Sequence, residues 1–122
     1  MEVEGSLRKQ VLAYAAERLG CVLDSPFAKT PDYVVLRHPL NNKWAGIVMD
    51  IPARYIQVGG DEIIDIMNVK LDPGLVAALR GEEGYAPAWH MSKQHWLTVR
   101  LDGSVEFEKV CALLEMSCDL VA

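Results

Sequence analysis

The sequence lacks most of the signatures that assign a chemistry on sight. It holds three cysteines, Cys21, Cys111 and Cys118, an odd count with no Cys-x-x-Cys pair. Cys111 and Cys118 fall on one expected helix, two turns apart. A rise of about 1.5 Å per residue separates them by roughly 10 Å, beyond the reach of a disulfide. Buried free thiols in a reducing cytosol are therefore expected. Serine-nucleophile, P-loop and dinucleotide fingerprints are absent. The adjacent Gly59 and Gly60 lack the strand-to-helix context of a phosphate loop and read as a tight turn.

Long apolar runs are missing as well. None approaches the ~20 residues needed to span a bilayer. The opening Met-Glu-Val-Glu-Gly-Ser has no basic region followed by an apolar one, so the expectation is a cytoplasmic chain with no signal peptide and no membrane partner. Positive charge is also scarce: twelve Lys and Arg stand against seventeen Asp and Glu, a formal net charge of -5. The basic residues form no block beyond Arg8-Lys9. Both facts weigh against a partner held mainly by phosphate neutralisation, although folding can still gather scattered charges on one surface.

What is present is an ordinary globular composition, 51% hydrophobic and 24% charged over 122 residues, enough for one domain over 1–122 with a core of its own. Ser6 can cap a first helix that Gly20 ends, with Leu7, Val11, Ala15 and Leu19 along one stripe. Residues 24–32 contain two prolines and read as a loop. Segments 33–38 and 44–51 form a hairpin about a five-residue connection, closed by Pro52. Segment 53–62 is irregular, with one possible turn at its start, and 63–71 is a third strand. Asp72 and Pro73 open a short helix reaching about residue 80. Residues 82–87 read as a connecting loop and 88–91 as a short extended segment, with a fourth clear strand at 95–101. Asp102-Gly103 turns the chain, and Ser104 caps a last helix carrying Phe107, Val110, Cys111, Leu114, Cys118 and Val121 on one face. This order is no repeated βα alternation. It implies an α+β fold: a mainly antiparallel twisted sheet with helices on one face, the N- and C-terminal helices flanking it.

Alternation divides the strands between two faces. Ala45, Ile47, Met49 and Ile51 make one apolar set and Trp44, Gly46, Val48 and Asp50 the other. If helices cover the apolar sets, the opposite face gathers Arg37, Trp44, Asn68, Lys70, Trp96 and Arg100. Basic groups beside aromatic rings can hold an anion, a nucleobase or an acidic peptide. A bulge in any strand would reverse the parity of the residues beyond it.

Residues 88–103 stand out, with two of the three His and two of the three Trp within eight residues. His90 and His95 are five apart, so one unbroken strand points them to opposite faces, and nothing supplies the remaining ligands of a metal site. No metal, cofactor or catalytic residue is expected from these patterns.

Three groups of residues together resemble the MmcQ/YjbR-like family. The first is Pro31-Asp32-Tyr33 with Leu36-Arg37-His38 and Lys43-Trp44. The second is Gly60-Asp61-Glu62 with Asp65, Asn68, Lys70 and Asp72-Pro73. The third, and most specific, is His90-Met91-Ser92-Lys93 with His95-Trp96 and Leu101-Asp102-Gly103-Ser104. Trp89, Leu71 and Cys118 depart from that pattern, where tyrosine, cysteine and an aromatic are more usual. The resemblance implies an α+β fold akin to frataxin-like proteins, and a family commonly labelled DNA-binding, from a proposed double-wing arrangement, without an established mechanism. It leaves two non-enzymatic readings and a third, weaker one, an enzyme using His90 or His95. In the first, DNA meets the hairpin tip at Asn41, Asn42 and Lys43, with Arg37, Lys70, Lys93 and Arg100 on phosphates and Trp96 as a stacking platform. In the second, a small anionic ligand or a protein partner meets Asn68, Lys70, Trp89, His90 and Trp96.

Overall fold

The computed structural model describes residues 6–122. Helix α1 (Leu7–Glu17) leads into strand β1 (Val22–Asp24). Strands β2 (Val34–Arg37) and β3 (Trp44–Pro52) form the hairpin, a 3-10 turn covers Ala53–Ile56, and β4 (Ile63–Lys70) comes next. Helix α2 (Pro73–Leu79), strands β5 (Tyr85–Pro87) and β6 (Trp96–Arg100) and helix α3 (Phe107–Val121) complete the chain. The six strands make one sheet in the order β1-β2-β3-β4-β6-β5, antiparallel throughout. The fold is therefore α+β, as the element order implies.

Local chemistry accounts for most boundaries. Ser6 Oγ accepts the Lys9 N–H at the start of α1, and Asp72 caps α2 through the Gly74 N–H with Pro73 in its first turn. The expected Ser104 cap is corrected. Ser104 instead closes the Asp102 turn, donating through its N–H and Oγ to Asp102 Oδ1, and Glu106 precedes α3 without a side-chain cap. Two short edge strands were not expected, the first ending in the 24–32 loop and the second lying within the 82–87 loop. The segment before the first proline pairs as β1 with β2, and Tyr85–Pro87 pairs as β5 with β6. Three residues are too few to show the alternation that reveals a strand. The extended segment expected at 88–91 is displaced to Tyr85–Pro87, and His90 sits in a turn at φ 61°.

Among the described residues, helices α1, α2 and α3 lie on one face of the sheet. Val11 and Ala15 of α1, Val76 of α2 and Val110, Leu113 and Leu114 of α3 are buried with Leu36, Val48, Met67, Val69, Leu97 and Val99. At about 25 cal/mol per Å² of apolar surface removed from water, this cluster is the main stabiliser of the fold. Gly46 lets α3 close on the sheet: a Cβ there would lie 3.2 Å from the Asn68 carbonyl oxygen and 3.4 Å from Leu114 Cδ1.

A bulge corrects the expected division of β3. Arg37 pairs with Trp44 and Leu36 with Gly46, so Ala45 has no opposite number. The extra residue puts Trp44 on the same side as Ile47, Met49 and Ile51, while Ala45, Gly46 and Val48 turn toward the helices. The apolar set expected under the helices is thus on the other face. There Ile47, Met49 and Ile51 join Val35, Ile56, Ile66 and Ala86 in a second buried cluster, bordered by Tyr33, Trp44, Val58, Ile64, Trp89 and Met91. Three loops, not helices, cover it. The three cysteines are free and buried.

Candidate functional site

The second face is organised by one transverse row. Strand register aligns Val35, Ile47, Asn68, Thr98 and Ala86 across five strands. The two polar members are fully buried, at 0% exposure each. Buried amides and hydroxyls are costly unless paired, and here each is. Thr98 Oγ1 donates to Asn68 Oδ1 at 2.6 Å, Asn68 Nδ2 donates to the Trp89 carbonyl at 3.0 Å, and the Trp89 N–H donates to Thr98 Oγ1 at 3.1 Å. The three groups form a closed circuit with one product, a fixed backbone at Trp89.

The rest of the 88–95 connection is tied in the same way. Lys93 Nζ donates to the Ala88 carbonyl at 2.8 Å, and the Trp96 N–H to the Ser92 carbonyl at 2.9 Å. The Trp89 ring stacks on Tyr55 from the 3-10 turn, with centroids 5.6 Å apart and planes at 24°. The His90 ring meets Trp89 edge-on at 4.1 Å. The left-handed backbone of His90 is unusual for a residue with a side chain, and it sets the imidazole at the border of a cleft.

That cleft, about 290 Å³, lies over Ile47 and Met49 and is walled by Phe27, Tyr33, Trp44, Trp89, His90 and Met91, with Thr30 at its edge. Phe27 belongs to the 25–33 connection, which folds back through Thr30 N–H to Phe27 carbonyl and Tyr33 N–H to Thr30 carbonyl hydrogen bonds. Its ring stands nearly perpendicular to both neighbours, 6.4 Å from Tyr33 at 75° and 6.2 Å from Trp44 at 79°. Burial pushes the Tyr33 hydroxyl pKa above its ordinary value, with Asp50 and Tyr55 adding to the effect. The lining contains no Lys, Arg, Asp or Glu. A second cleft on the other side of Trp89 is bounded by Tyr55, Gln57, Pro87 and Lys93.

The nine residues singled out from sequence divide into groups. Trp89 and His90 line the cleft. Asn68 lies beneath it, with its side chain committed to Thr98 and the Trp89 backbone. Arg37 stands over the Trp44 ring at 5.9 Å and pairs with Asp24 at 2.9 Å. Lys43 is exposed at the hairpin tip, where its N–H donates to Asn41 Oδ1. Asn41 also donates to the Val121 carbonyl at 2.7 Å, which tethers the tip to the end of α3. Lys70 and Trp96 pair across β4 and β6, away from the cleft lining. Lys93 borders the second cleft, and Arg100 pairs with Asp102 at 2.5 Å. Phe27, Tyr33, Tyr55 and Met91 were not among the nine. Their placement depends on loop paths that carry no periodic signal. Among the described residues no group of three or more His, Cys, Asp and Glu side chains is placed to hold a metal, and no helix is long and apolar enough to cross a membrane.

Residues 18–120 match the YjbR family model. The chain is 33% identical over 113 residues to Bacillus subtilis "Uncharacterized protein YyaQ", covering 93% of this chain and 96% of that protein. A crystal structure of a Pseudomonas syringae protein is similar with TM-score 0.90 and 41% identity, over 94% of this chain and 98% of that one. A crystal structure of Deinococcus radiodurans protein DR2400 is similar with TM-score 0.66 and 25% identity, over 90% of this chain and 75% of that one. The chain belongs to the YjbR family.

Proposed function

We propose that this chain is a non-enzymatic binding module whose ligand site is the aromatic cleft on the sheet face opposite the helices. One observation carries the reading: the two buried polar side chains of that face, Asn68 and Thr98, spend their hydrogen bonds on holding Trp89 in the cleft wall. A largely apolar, aromatic concavity with few polar groups is the usual form of a small-molecule or side-chain pocket. The lining offers no basic side chain to an anion, so an uncharged or cationic group suits the interior better than a carboxylate or phosphate. The test is a titration of the full chain with small aromatic and organic-cation probes, monitored at the indole N–H resonances of its tryptophans. Saturable movement at Trp44 and Trp89 supports the site; no movement there at millimolar probe removes it.

DNA is a second reading, favoured by Arg37 stacked beside Trp44 with Lys43 on the same hairpin. A ring and two cations at one edge could take a base and its flanking phosphates. The net charge of -5 and the pairing of Arg37 with Asp24 and Arg100 with Asp102 weigh against it. Anisotropy with single-stranded and duplex DNA across a salt series decides. Binding that falls steeply with salt and on Lys43→Ala supports it, and absence of binding at low salt counts it out.

A further inference from the structure

We propose that the cleft recognises a quaternary or fully methylated ammonium group, held by the faces of its aromatic walls; this rests on the cleft being the ligand site. The cleft is walled by aromatic rings. Phe27 stands at 75° to Tyr33 and 79° to Trp44, and Trp89 lines the same cavity. Tyr55 stacks on Trp89 and steadies that wall. Ring planes steeply inclined to a shared neighbour suit a compact ion better than a flat ring, which needs parallel plates.

Charge points the same way. No Lys or Arg lines the cavity, the chain carries a net charge of -5, and the Asp50 carboxylate acts on the Tyr33 hydroxyl. A cation therefore meets no fixed positive charge in the lining. Rings on this face already hold cations from within the chain: Arg37 lies over Trp44 at 5.9 Å and Arg54 over Tyr55 at 5.1 Å. The Arg37 charge is countered by Asp24, which limits its repulsion of an incoming ammonium. A primary ammonium must keep three donors satisfied. A methylated one has few or none to satisfy and fits a lining without a carboxylate to accept from it.

The experiment compares choline with its neutral tert-butyl analogue, alike in shape and different in charge, and with indole as a flat neutral probe. Each is titrated into the full chain and monitored at the Trp44 and Trp89 indole N–H resonances. Choline is expected to bind about tenfold more tightly than the analogue, and Phe27→Leu, in a loop outside the helical core, to weaken choline several-fold without changing thermal stability. Equal affinity for the two isosteres, tighter binding of indole, or unchanged choline affinity in Phe27→Leu overturns the ammonium assignment while leaving the cleft as a ligand site. Failure of all three probes to move either resonance overturns both.

Discussion

Thr98 Oγ1 donates to Asn68 Oδ1 at 2.6 Å between neighbouring strands, and both side chains are sealed from solvent. The same hydroxyl accepts from the Trp89 N–H. Thr98→Val keeps the shape and removes the hydroxyl, so it leaves a buried amide oxygen and a backbone N–H unpaired. The expected cost is about 1–3 kcal/mol in urea unfolding, with the Trp89 indole resonance broadened or displaced. Thr98→Ser, which restores the hydroxyl, should recover most of the Trp89 signal. Equal behaviour of the Val and Ser variants would show that packing, not the hydrogen bond, positions this wall.

The helical side has a comparable polar clamp at the bulge. Ser117 Oγ donates to the Ala45 carbonyl at 2.5 Å and accepts the Lys70 N–H at 2.9 Å. Ala45 is the residue without an opposite number on β2, so a side chain from α3 meets its carbonyl. Ser117→Ala is predicted to lose about 1–3 kcal/mol and to raise amide exchange at Lys70 before exchange elsewhere in β4. Exchange at Lys70 that rises only with the whole strand would contradict a local role.

Alkaline pH should destabilise the chain. Burial pushes the Cys21 and Cys111 thiols from 9.0 up to about 11, with Cys118 adding to the effect at Cys21 and Glu108 at Cys111. The unfolded chain loses these protons first, so above about 9 it binds fewer protons than the folded chain. Stability conferred by the neutral thiols is full below that pH and is lost as pH rises toward about 11. Tyr14, Tyr33 and Tyr85, all raised first by burial, act in the same direction. Urea unfolding across this range should show a falling midpoint. The fall should be shallower in Cys111→Ala, and an unchanged slope would exclude the thiol contribution.

At the acid end the dependence reverses. Burial alone would raise the Asp102 carboxyl, but hydrogen bonds from Ser104 and the contact with Arg100 outweigh it and hold the pKa below 3.8. Asp102 thus stabilises the fold above its unfolded pKa, and that contribution disappears as pH falls through the lower folded value. Asp102→Asn should flatten part of the acid limb of an unfolding-midpoint profile. An unaltered limb would place that dependence on other carboxylates.

The α+β class, the three helices and the four longer strands were legible because each carries several turns or alternations of pattern. The grouping of Arg37, Asn68, Lys70, Trp96 and Arg100 on one face also comes from alternation, since β4 and β6 pair without interruption. The β3 parity was not legible. A strand with apolar residues at 45, 47, 48, 49 and 51 is buried on both faces, so hydrophobicity cannot tell which side meets the helices, and the bulge at Ala45 leaves no composition signal. Trp89 and His90 drew attention through residue type and the family resemblance, not through periodicity. Phe27, Tyr33 and Tyr55 reach the cleft from loops whose course is set by tertiary packing. The burial of Thr98 with Asn68 was not legible, because alternation placed both on a face expected to be open and the loops that seal it carry no periodic signal.

The most direct test of the account uses the three tryptophans as internal reporters. Trp44 and Trp89 line the cleft, whereas Trp96 lies on the same face outside it. The three indole N–H resonances are recorded while the full chain is titrated with choline and, separately, with indole. The account predicts saturable, joint movement of Trp44 and Trp89 for at least one probe, with Trp96 unmoved. Movement of Trp96 alone, or of none of the three at millimolar probe, would contradict the assignment of the ligand site to this cleft.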